Sequence, residues 1–213
     1  MAKLQLALDG DLTSALAVLE RAHATVDIVE IGTPLVFREG MRAVRVIRAA
    51  YPGLRLLADL KIMDAGEAEA DIAFGAGADI VTVLGLSGDE TIQGALASGE
   101  KHGGQVMIDM MGVADPLERA AELIELGCDL LCLHTAHDQQ AKRGSPWRQL
   151  AQLRAAFPAL SLAIAGGISS KLLPQILPLQ PQIVVVGSAI TAAADPGFAA
   201  RLIHEGMRRY GDA

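Results

Sequence analysis

The chain has 213 residues, of which 51% are apolar and 20% charged, a composition typical of a folded globular protein with one sizeable core. The net charge of −7 and the 3% of aromatic residues argue against a nucleic-acid partner, since they offer neither a basic track nor a stacking platform. No apolar run approaches the ~20 residues of a membrane-spanning helix, and the opening residues MAKLQLALDG leave no room for a signal peptide. We therefore expect a cytoplasmic protein without a membrane partner.

Short apolar stretches alternate with stretches of helical spacing along the whole chain. The first predicted helix follows an N-cap at Thr13 or Ser14. The predicted strands are 4–8, 27–31, 55–59, 79–84, 105–110, 129–133, 161–164 and 183–186. The further predicted helices are 39–50, 66–76, 88–102, 116–126, 147–156, 169–178 and 196–209.

The predicted strands are almost continuous in apolar residues, as in IVTVL and IVVVG, which is typical of parallel strands covered on both faces. Eight β/α units can form a closed barrel or a doubly wound open sheet. The number and regular spacing of the units favour the barrel, and the glycine pattern of dinucleotide-binding sheets does not follow the first strand. We therefore predict an α/β fold, a (β/α)8 TIM barrel, as one catalytic domain over 1–213.

Polar residues end or follow the predicted strands, where the active site of a TIM barrel lies. Asp9 alone could cap a helix, but Glu30 and Asp59 lie inside the apolar runs DIVEIG and LLADLK, where an unpaired carboxylate is costly. Lys61 shares a face with Asp59 by strand alternation. The other candidates near strand ends are Asp64, Asp109, His134, Gly166, Gly167, Gly187 and Ser188.

Carboxylates dominate this candidate site and oppose a single lysine. For an anionic substrate, that excess of negative charge calls for a compensating cation, and oxygen ligands beside a phosphate-bearing substrate point to Mg²⁺. A zinc site would use more histidine or cysteine ligands. Cys128 and Cys132 are expected to be buried; if they lie on one strand, their separation of four residues is too long for a disulfide.

Glycines in the last third of the chain predict a phosphate site. Gly166, Gly167 and Gly187 let backbone N–H groups approach an anion closely, and each precedes a predicted helix, whose N-terminus favours negative charge. With Ser188 they match the phosphate site that recurs after strands seven and eight of TIM barrels. The alternative is that these glycines only form tight turns.

His134 follows the sixth predicted strand directly. A lone histidine is more often structural than catalytic, but opposite a metal site and a lysine we interpret His134 as a general base or acid. His137 lies in the same loop, and its role stays open at this point.

The segment 59–64, DLKIMD, is the Asp-x-Lys-x-x-Asp motif of the orotidine 5′-monophosphate decarboxylase suprafamily. Within it the chain resembles the 3-hexulose-6-phosphate synthase family in the stretches LQLALD, VDIVEIGTPL, MDAGEAEADIAF, GADIVTVLG, HTAHDQQA, AGGIS and VGSAITAAADP. The related 3-keto-L-gulonate-6-phosphate decarboxylases differ at three positions. Asp109 and Ala165 are as in the synthases, whereas His137 stands where the decarboxylases have arginine and the synthases a small or apolar residue.

The resemblance implies a lyase that joins formaldehyde to D-ribulose 5-phosphate, reversibly, through a 1,2-enediolate. Glu30 and Asp59 would hold Mg²⁺, or Mn²⁺, which would stabilise the enediolate. His134 would remove the C1 proton, and Lys61 would add positive charge near the developing oxyanion. Asp64 would reach into the neighbouring subunit's site, so that a homodimer with shared active sites follows. The sugar would be held by Asp9, Asp109 and His137, and the phosphate by Gly166, Gly167, Gly187 and Ser188.

Other functions fit parts of this pattern. The sister decarboxylases form the same enediolate, so they are the nearest alternative. A catalytically silent sugar-phosphate-binding protein is a second alternative, although the complete motif, Glu30 and His134 argue against it. A metal-dependent pentose-phosphate epimerase would have additional metal-binding histidines at the strand ends, which this sequence lacks.

Overall fold

Eight parallel strands form a closed barrel in which each strand pairs with its neighbours in chain order and β8 closes onto β1. This computed structural model describes residues 1–211, so the last two positions of the predicted domain 1–213 lie outside the described residues. The strands are β1 (Lys3–Leu8), β2 (Ile28–Ile31), β3 (Arg55–Ile62), β4 (Ile80–Leu84), β5 (Gln105–Asp109), β6 (Leu130–His134), β7 (Ser161–Ala165) and β8 (Ile183–Val186). The prediction of a (β/α)8 TIM barrel is confirmed.

Helices connect the strands on the outside of the barrel. They are α1 (Leu12–Ala22), α2 (Thr33–Glu39), α3 (Met41–Ala50), α4 (Gly66–Gly75), α5 (Asp89–His102), α6 (Pro116–Glu125), α7 (Gln140–Arg143), α8 (Trp147–Ala156), α9 (Leu173–Ile176), α10 (Ser188–Thr191) and α11 (Pro196–Gly211). Turns of 3₁₀ helix cover His137–Gln139, Ser170–Leu172 and Leu177–Leu179. Within residues 1–211, none of the helices has both the length and the apolar character needed to cross a bilayer.

The start of the first helix corrects one prediction. Asp11, rather than Thr13 or Ser14, is the N-cap, because its carboxylate accepts a hydrogen bond from the Ser14 N–H at 2.8 Å. The helix therefore begins at Leu12, earlier than the spacing of apolar residues indicates.

Two further helical predictions need correction. The predicted helix 39–50 is preceded by α2, which buries only Leu35 and so has no clear apolar period, and Gly40 at φ +55° separates α2 from α3. The predicted helix 169–178 is a 3₁₀ turn, the four-residue α9 and a second 3₁₀ turn. Pro174 and Pro178 lack the N–H groups that a continuous helix would need there.

Strand alternation divides the apolar residues into two cores. In β2, Val29 and Ile31 belong to the layer between strands and helices, while Ile28 faces the barrel interior and Glu30 opens on its mouth. The interior layer consists of Ala7, Ile28, Leu57, Ile80, Met107, Leu130, Cys132, Ala163, Ala165, Ile183 and Val185. Cys128 and Cys132 are buried free thiols, as expected. The interior core closes the barrel below the functional site, so polar side chains one layer higher face a cavity.

Candidate active site

The carboxyl ends of all eight strands surround a cavity of about 520 Å³. Its lining brings together nearly all of the residues proposed from the sequence, namely Asp9, Glu30, Asp59, Lys61, Asp109, His134, His137, Gly166, Gly167, Gly187 and Ser188. Asp64 is exposed and lies outside this lining, with its carboxylate accepting a hydrogen bond from the Ala65 N–H at 2.7 Å. The acid–base and carboxylate side chains lie on or after β1, β2, β3, β5 and β6, and the glycines follow β7 and β8.

Asp59 is buried, and three neighbours fix its carboxylate. Thr33 donates its hydroxyl hydrogen to Oδ2 at 2.6 Å, and Thr82 donates to Oδ1 at 2.8 Å. The Lys61 ammonium contacts Oδ2 at 2.5 Å. Hydrogen bonds to a charged carboxylate are stronger than neutral ones, so this set holds Asp59 in one orientation.

Lys61 lies between two carboxylates. Its Nζ is 2.5 Å from Asp59 Oδ2 and 3.5 Å from Asp109 Oδ2. Burial lowers the pKa of Lys61, but the negative charges of Asp59 and Asp109 outweigh that effect and raise the pKa above its usual value. The side chain is therefore a permanent cation at the centre of the site, suited to neutralising negative charge on a substrate.

Glu30 extends from β2 opposite Ala7 and Leu57, with one carboxylate oxygen anchored. Gln5 Nε2 donates to Glu30 Oε2 at 2.7 Å. Burial in the barrel mouth, and then the negative charge of Asp59, raise the pKa of Glu30 to about 8. Burial and the charge of Asp59 together favour a neutral Glu30.

His134 and Asp109 form a hydrogen-bonded pair between neighbouring strands. His134 Nδ1 is 2.8 Å from Asp109 Oδ2, and the Met111 N–H donates to Asp109 Oδ1 at 2.9 Å. Burial raises the pKa of Asp109, but the hydrogen bond and charge of His134, with the charge of Lys61, outweigh it and lower the pKa below 3.8. Because Asp109 stays ionised, Nδ1 of the neutral imidazole carries the hydrogen, and Nε2 is left as the basic nitrogen.

The pKa of His134 itself shifts in the direction that suits a base. Burial lowers the pKa, but the hydrogen bond to Asp109 and the negative charge of Asp109 outweigh burial and raise the pKa above 6.5. In this pair the Asp109 carboxylate orients the imidazole and makes it more basic, a contact beyond the sugar contact expected from the family resemblance.

Asp9 lines the cavity directly after β1. Burial, and then the negative charge of Asp59, raise its pKa above 3.8. Gly32 makes room for the Asp9 carboxylate, since a Cβ at Gly32 would lie 2.0 Å from Asp9 Oδ1. Arg38 also donates to the Asp9 carbonyl oxygen at 3.0 Å. Asp9 is thus held at the start of its loop, with its carboxylate facing the cavity.

The glycine turn after β7 has backbone geometry that other residues rarely adopt. Gly166 has φ +101° and Gly167 has φ +69°. A Cβ at Gly166 would also lie 2.5 Å from the Thr135 carbonyl oxygen. The helical segments that follow are too short for the helix dipole expected from the sequence, because α10 has four residues and the 3₁₀ turn Ser170–Leu172 has three. An anion here would be held mainly by loop N–H groups.

The donor set fits a hard divalent cation. Within residues 1–211, no group of three or more histidine, cysteine, aspartate or glutamate side chains is arranged to hold a metal ion by itself. Two carboxylates, those of Glu30 and Asp59, leave further positions for substrate and solvent oxygens, as Mg²⁺ and Mn²⁺ prefer. Burial raises the pKa of Glu30, and the negative charge of Asp59 adds to that effect; such a cation would offset the contribution of Asp59.

Comparisons with known proteins agree with this geometry. Residues 2–203 match the model of the Orotidine 5'-phosphate decarboxylase / HUMPS family. A 3-hexulose-6-phosphate synthase of Bacillus subtilis is 44% identical over 194 residues, which cover 91% of this chain and 92% of the relative. The chain belongs to this family, among its 3-hexulose-6-phosphate synthases. The resemblance inferred from the sequence is confirmed.

Solved structures of both related enzymes are similar to this chain. The crystal structure of 3-hexulose-6-phosphate synthase from Salmonella typhimurium has a TM-score of 0.95 and 42% identity, covering 98% of this chain and 99% of that one. A 3-keto-L-gulonate-6-phosphate decarboxylase from Vibrio cholerae has a TM-score of 0.87 and 28% identity, with 98% of both chains covered. The fold is common to both, whereas sequence identity favours the synthases.

The cavity of this family member also contains polar residues that the sequence reasoning missed: Gln5, Thr33, Thr82 and Gln140. Gln5 lies at an inward position of β1 and Thr82 at an inward position of β4, so strand alternation alone could have indicated both. Gln140 donates to the Thr135 carbonyl oxygen at 3.3 Å, which places its side chain beside Gly167. Thr33 begins α2, a helix that the apolar pattern did not reveal.

Proposed function

We propose that this enzyme catalyses the reversible addition of formaldehyde to D-ribulose 5-phosphate, giving D-arabino-hex-3-ulose 6-phosphate. Membership of the 3-hexulose-6-phosphate synthases at 44% identity over 91% of the chain supports a lyase of this type. The observation that carries the mechanism is the His134–Asp109 pair beside the Lys61 ammonium. The glycine turns line the same cavity. A base, a cation and an anion-binding loop are the groups that such a reaction needs.

His134 performs the proton transfer in the proposed mechanism. Its Nε2 takes a proton from C1 of ribulose 5-phosphate; the electron pair of that C–H bond becomes the C1–C2 double bond, and the π pair of the C2 carbonyl moves to its oxygen, giving an enediolate. The electron pair of the C1–C2 double bond then forms the bond to the carbon of formaldehyde, the C2 carbonyl re-forms, and the formaldehyde oxygen takes the proton from the His134 imidazolium to become a hydroxyl group. The Asp109 carboxylate stabilises the imidazolium between these steps, and Lys61 offsets the negative charge on the substrate oxygens.

We propose that Glu30 and Asp59 hold Mg²⁺ or Mn²⁺. When bound, the ion would supply positive charge that polarises the carbonyl and hydroxyl oxygens of the sugar. Gln5, Thr33 and Thr82, which also line the cavity, hold the two carboxylates in position. Activity should therefore be lost after exhaustive chelation and return when Mg²⁺ or Mn²⁺ is added; full turnover in the chelated enzyme would contradict the metal.

We propose that Gly166, Gly167, Gly187 and Ser188 bind the phosphate through loop N–H groups and the serine hydroxyl. The supporting observation is that the two positive-φ glycines lie in the cavity lining, directly after β7, the strand that pairs with β6 and places Ala165 next to His134. Asp9, which follows β1, and His137, in the loop after β6, also line the cavity and are the proposed contacts to the sugar and its reacting end.

We also propose a homodimer in which Asp64 enters the active site of the second copy. Asp64 lies in a short segment bounded by two left-handed residues, Lys61 and Ala65, both at φ +51°. Its neighbour Met63 is 51% exposed, and Leu86 in the adjoining loop is also 51% exposed, which gives this face an apolar character suited to a second copy. Ser87 fixes the segment by donating to the Ile62 carbonyl oxygen at 2.9 Å.

Mixed dimers test this sharing. Asp64→Ala and Lys61→Ala enzymes should each be nearly inactive, because each lacks one essential group at every site. In a mixed dimer both defects fall in one composite site and the other site is intact, so activity should reappear. Sedimentation and tagged co-purification would verify mixed dimers; verified mixed dimers without any rescue would contradict the shared site.

A side-by-side turnover assay tests the reaction itself. We expect turnover of ribulose 5-phosphate with formaldehyde to exceed turnover of 3-keto-L-gulonate 6-phosphate, because Asp109 and Ala165 are as in the synthases. Product identity would be followed by NMR. Faster decarboxylation than condensation would assign the chain to the sister activity, and binding without turnover of either compound would leave only a sugar-phosphate-binding function.

A further inference from the structure

Thr82 is a buried hydroxyl at the floor of the cavity that contacts two charged residues at once. It lies in the middle of β4, within the apolar run IVTVL, and is 4% exposed. Its Oγ1 donates to Asp59 Oδ1 at 2.8 Å and accepts a hydrogen bond from the Lys61 backbone N–H at 2.9 Å. One side chain therefore links the carboxylate of one residue to the backbone of the other.

The backbone of β3 is irregular where Thr82 meets it. Ala58 pairs with Val81 and Ile62 pairs with Val83, so a four-residue step on β3 faces a two-residue step on β4. Lys61 lies in this bulge with φ +51°, a left-handed conformation that a non-glycine residue rarely adopts. The Lys61 N–H thus finds a side-chain acceptor, the Thr82 hydroxyl, in place of a carbonyl oxygen of the neighbouring strand.

The two contacts of Thr82 depend on each other. A hydroxyl group has one hydrogen, and here that hydrogen points to an acceptor-only carboxylate while a lone pair faces an N–H group. The polarity of the two partners leaves one orientation of the hydroxyl. Thr33 and Lys61 both contact Oδ2 of Asp59. Thr82 contacts Oδ1 and so fixes the rotation of the carboxylate about its bond to Cβ.

We propose that Thr82 is a positioning residue that sets the Asp59 carboxylate and the Lys61 ammonium relative to each other. Without the hydroxyl, Asp59 loses the contact that orients Oδ1, and the left-handed turn at Lys61 loses the acceptor of its N–H group. This inference rests on the proposed function, in which Asp59 holds a divalent cation and Lys61 faces the substrate.

Three variants separate the hydroxyl from the rest of the side chain. Thr82→Val keeps the shape and the β-branched character that suit a buried strand and removes only the hydroxyl. Thr82→Ser keeps the hydroxyl and removes the methyl group, and Thr82→Ala removes both. The serine and alanine variants differ by the hydroxyl alone, so they decide the question even if the valine variant fails to fold.

Two measurements on the full-length variants test the proposal. Mn²⁺ affinity would be measured by electron paramagnetic resonance without substrate, and exchange of the C1 proton of ribulose 5-phosphate with D₂O would be followed by NMR. A hydrogen bond to a charged group is worth roughly 10- to 100-fold in an equilibrium constant. We expect Thr82→Val and Thr82→Ala to weaken Mn²⁺ binding and to lower the exchange kcat by about that factor.

The KM for ribulose 5-phosphate should change by less than about 3-fold in these variants, since a lost hydrogen bond at the metal carboxylate leaves the phosphate loops untouched. Thr82→Ser should stay within about 3-fold of wild type in Mn²⁺ affinity and in exchange rate, because it keeps both hydrogen bonds.

The proposal is overturned if Thr82→Val and Thr82→Ala match wild type in both measurements, or if Thr82→Ser loses as much as Thr82→Ala. Failure of the proposed function would look different, because wild type itself would then neither exchange the C1 proton nor condense formaldehyde. The relative Mn²⁺ affinities of the four proteins would still decide whether Thr82 positions Asp59.

Discussion

The two halves of the cavity are built in different ways. On β1 to β6 the chemistry belongs to side chains that project from the strands and are fixed by neighbouring side chains, as Asp59 is by Thr33 and Thr82. After β7 and β8 much of the cavity wall is loop backbone, shaped by Gly166 and Gly167 at positive φ. The first half depends on which functional groups are present, and the second on which backbone conformations are possible.

This difference predicts two kinds of mutational behaviour. Removing a functional group from the side-chain half should lower kcat or metal affinity and leave phosphate binding unchanged. Adding a side chain to the backbone half should weaken substrate binding, because it changes a shape that is common to the ground state and the transition state.

The largest effect is expected for His134→Asn. General base catalysis is typically worth ~10²–10⁴-fold, so kcat should fall by about that factor. Mn²⁺ affinity should stay close to wild type, because the proposed ligands are Glu30 and Asp59. The direct measurement is stereospecific wash-in of deuterium at C1 of ribulose 5-phosphate in D₂O without formaldehyde. Exchange at the wild-type rate in the variant would mean that His134 is not the base and that His137 or a solvent molecule removes the proton.

The backbone half is tested by Gly166→Ala. The added Cβ would lie 2.5 Å from the Thr135 carbonyl oxygen, and the residue would have to keep φ +101°, so the turn must move. We expect the KM for ribulose 5-phosphate to rise about 10-fold or more, with a smaller change in kcat. Steady-state kinetics would measure both constants.

Gly75→Ala is the matched control for that variant. Gly75 ends α4, is exposed, and a Cβ there would meet no atom within 4 Å in the described part of the chain. It should behave as wild type. An unchanged KM in Gly166→Ala would move the phosphate site away from this turn and contradict the division of the cavity into two halves.

The sequence predicted the barrel and most of its cavity because the necessary signals are local. An inward side chain near a strand end, such as Glu30 or Asp109, follows from alternation along one strand and from the common direction of parallel strands. The contact between Asp109 and His134 depends on the register between β5 and β6, which no local pattern carries. The left-handed turn at Lys61 depends on a bulge between β3 and β4 for the same reason.

Helical detail was less predictable than strand detail. Pro174 and Pro178 divide the predicted helix 169–178 into short turns, and the weak amphipathic pattern of α2 hid the helix that carries Thr33. The homodimer, the metal and the cytoplasmic location stay predictions. The first two depend on atoms outside this chain, and the third on the cell.

A smaller effect, with a contrast between function and stability, is expected for Gln5→Met. Gln5 Nε2 donates to Glu30, whereas the buried Gln5 Oε1 has no hydrogen-bond partner among the described residues. An ordinary hydrogen bond contributes about 0.5–1.5 kcal/mol, so Mn²⁺ affinity should fall by roughly 2- to 12-fold. The melting temperature should hold or rise, because methionine removes an unsatisfied polar atom from the barrel interior. Parallel loss of metal affinity and of melting temperature would mean that Gln5 is a structural residue only.

The smallest expected effect is a shift in the pH dependence of proton exchange. His134 acts as a base only when neutral, so the rate should fall as pH drops through its pKa, which the hydrogen bond and charge of Asp109 hold above 6.5. In Asp109→Asn the charge is lost, while burial, which lowers the pKa of His134, remains. The acid limb should therefore begin above pH 6.5 in wild type and move to lower pH in the variant.

The measurement is the kcat/KM of deuterium exchange over about pH 5 to 9, with metal saturating at every point. An acid limb at the same pH in both proteins would show that a group other than His134 controls the reaction. A limb that moves upward would mean that the charge of Asp109 does not stabilise the imidazolium.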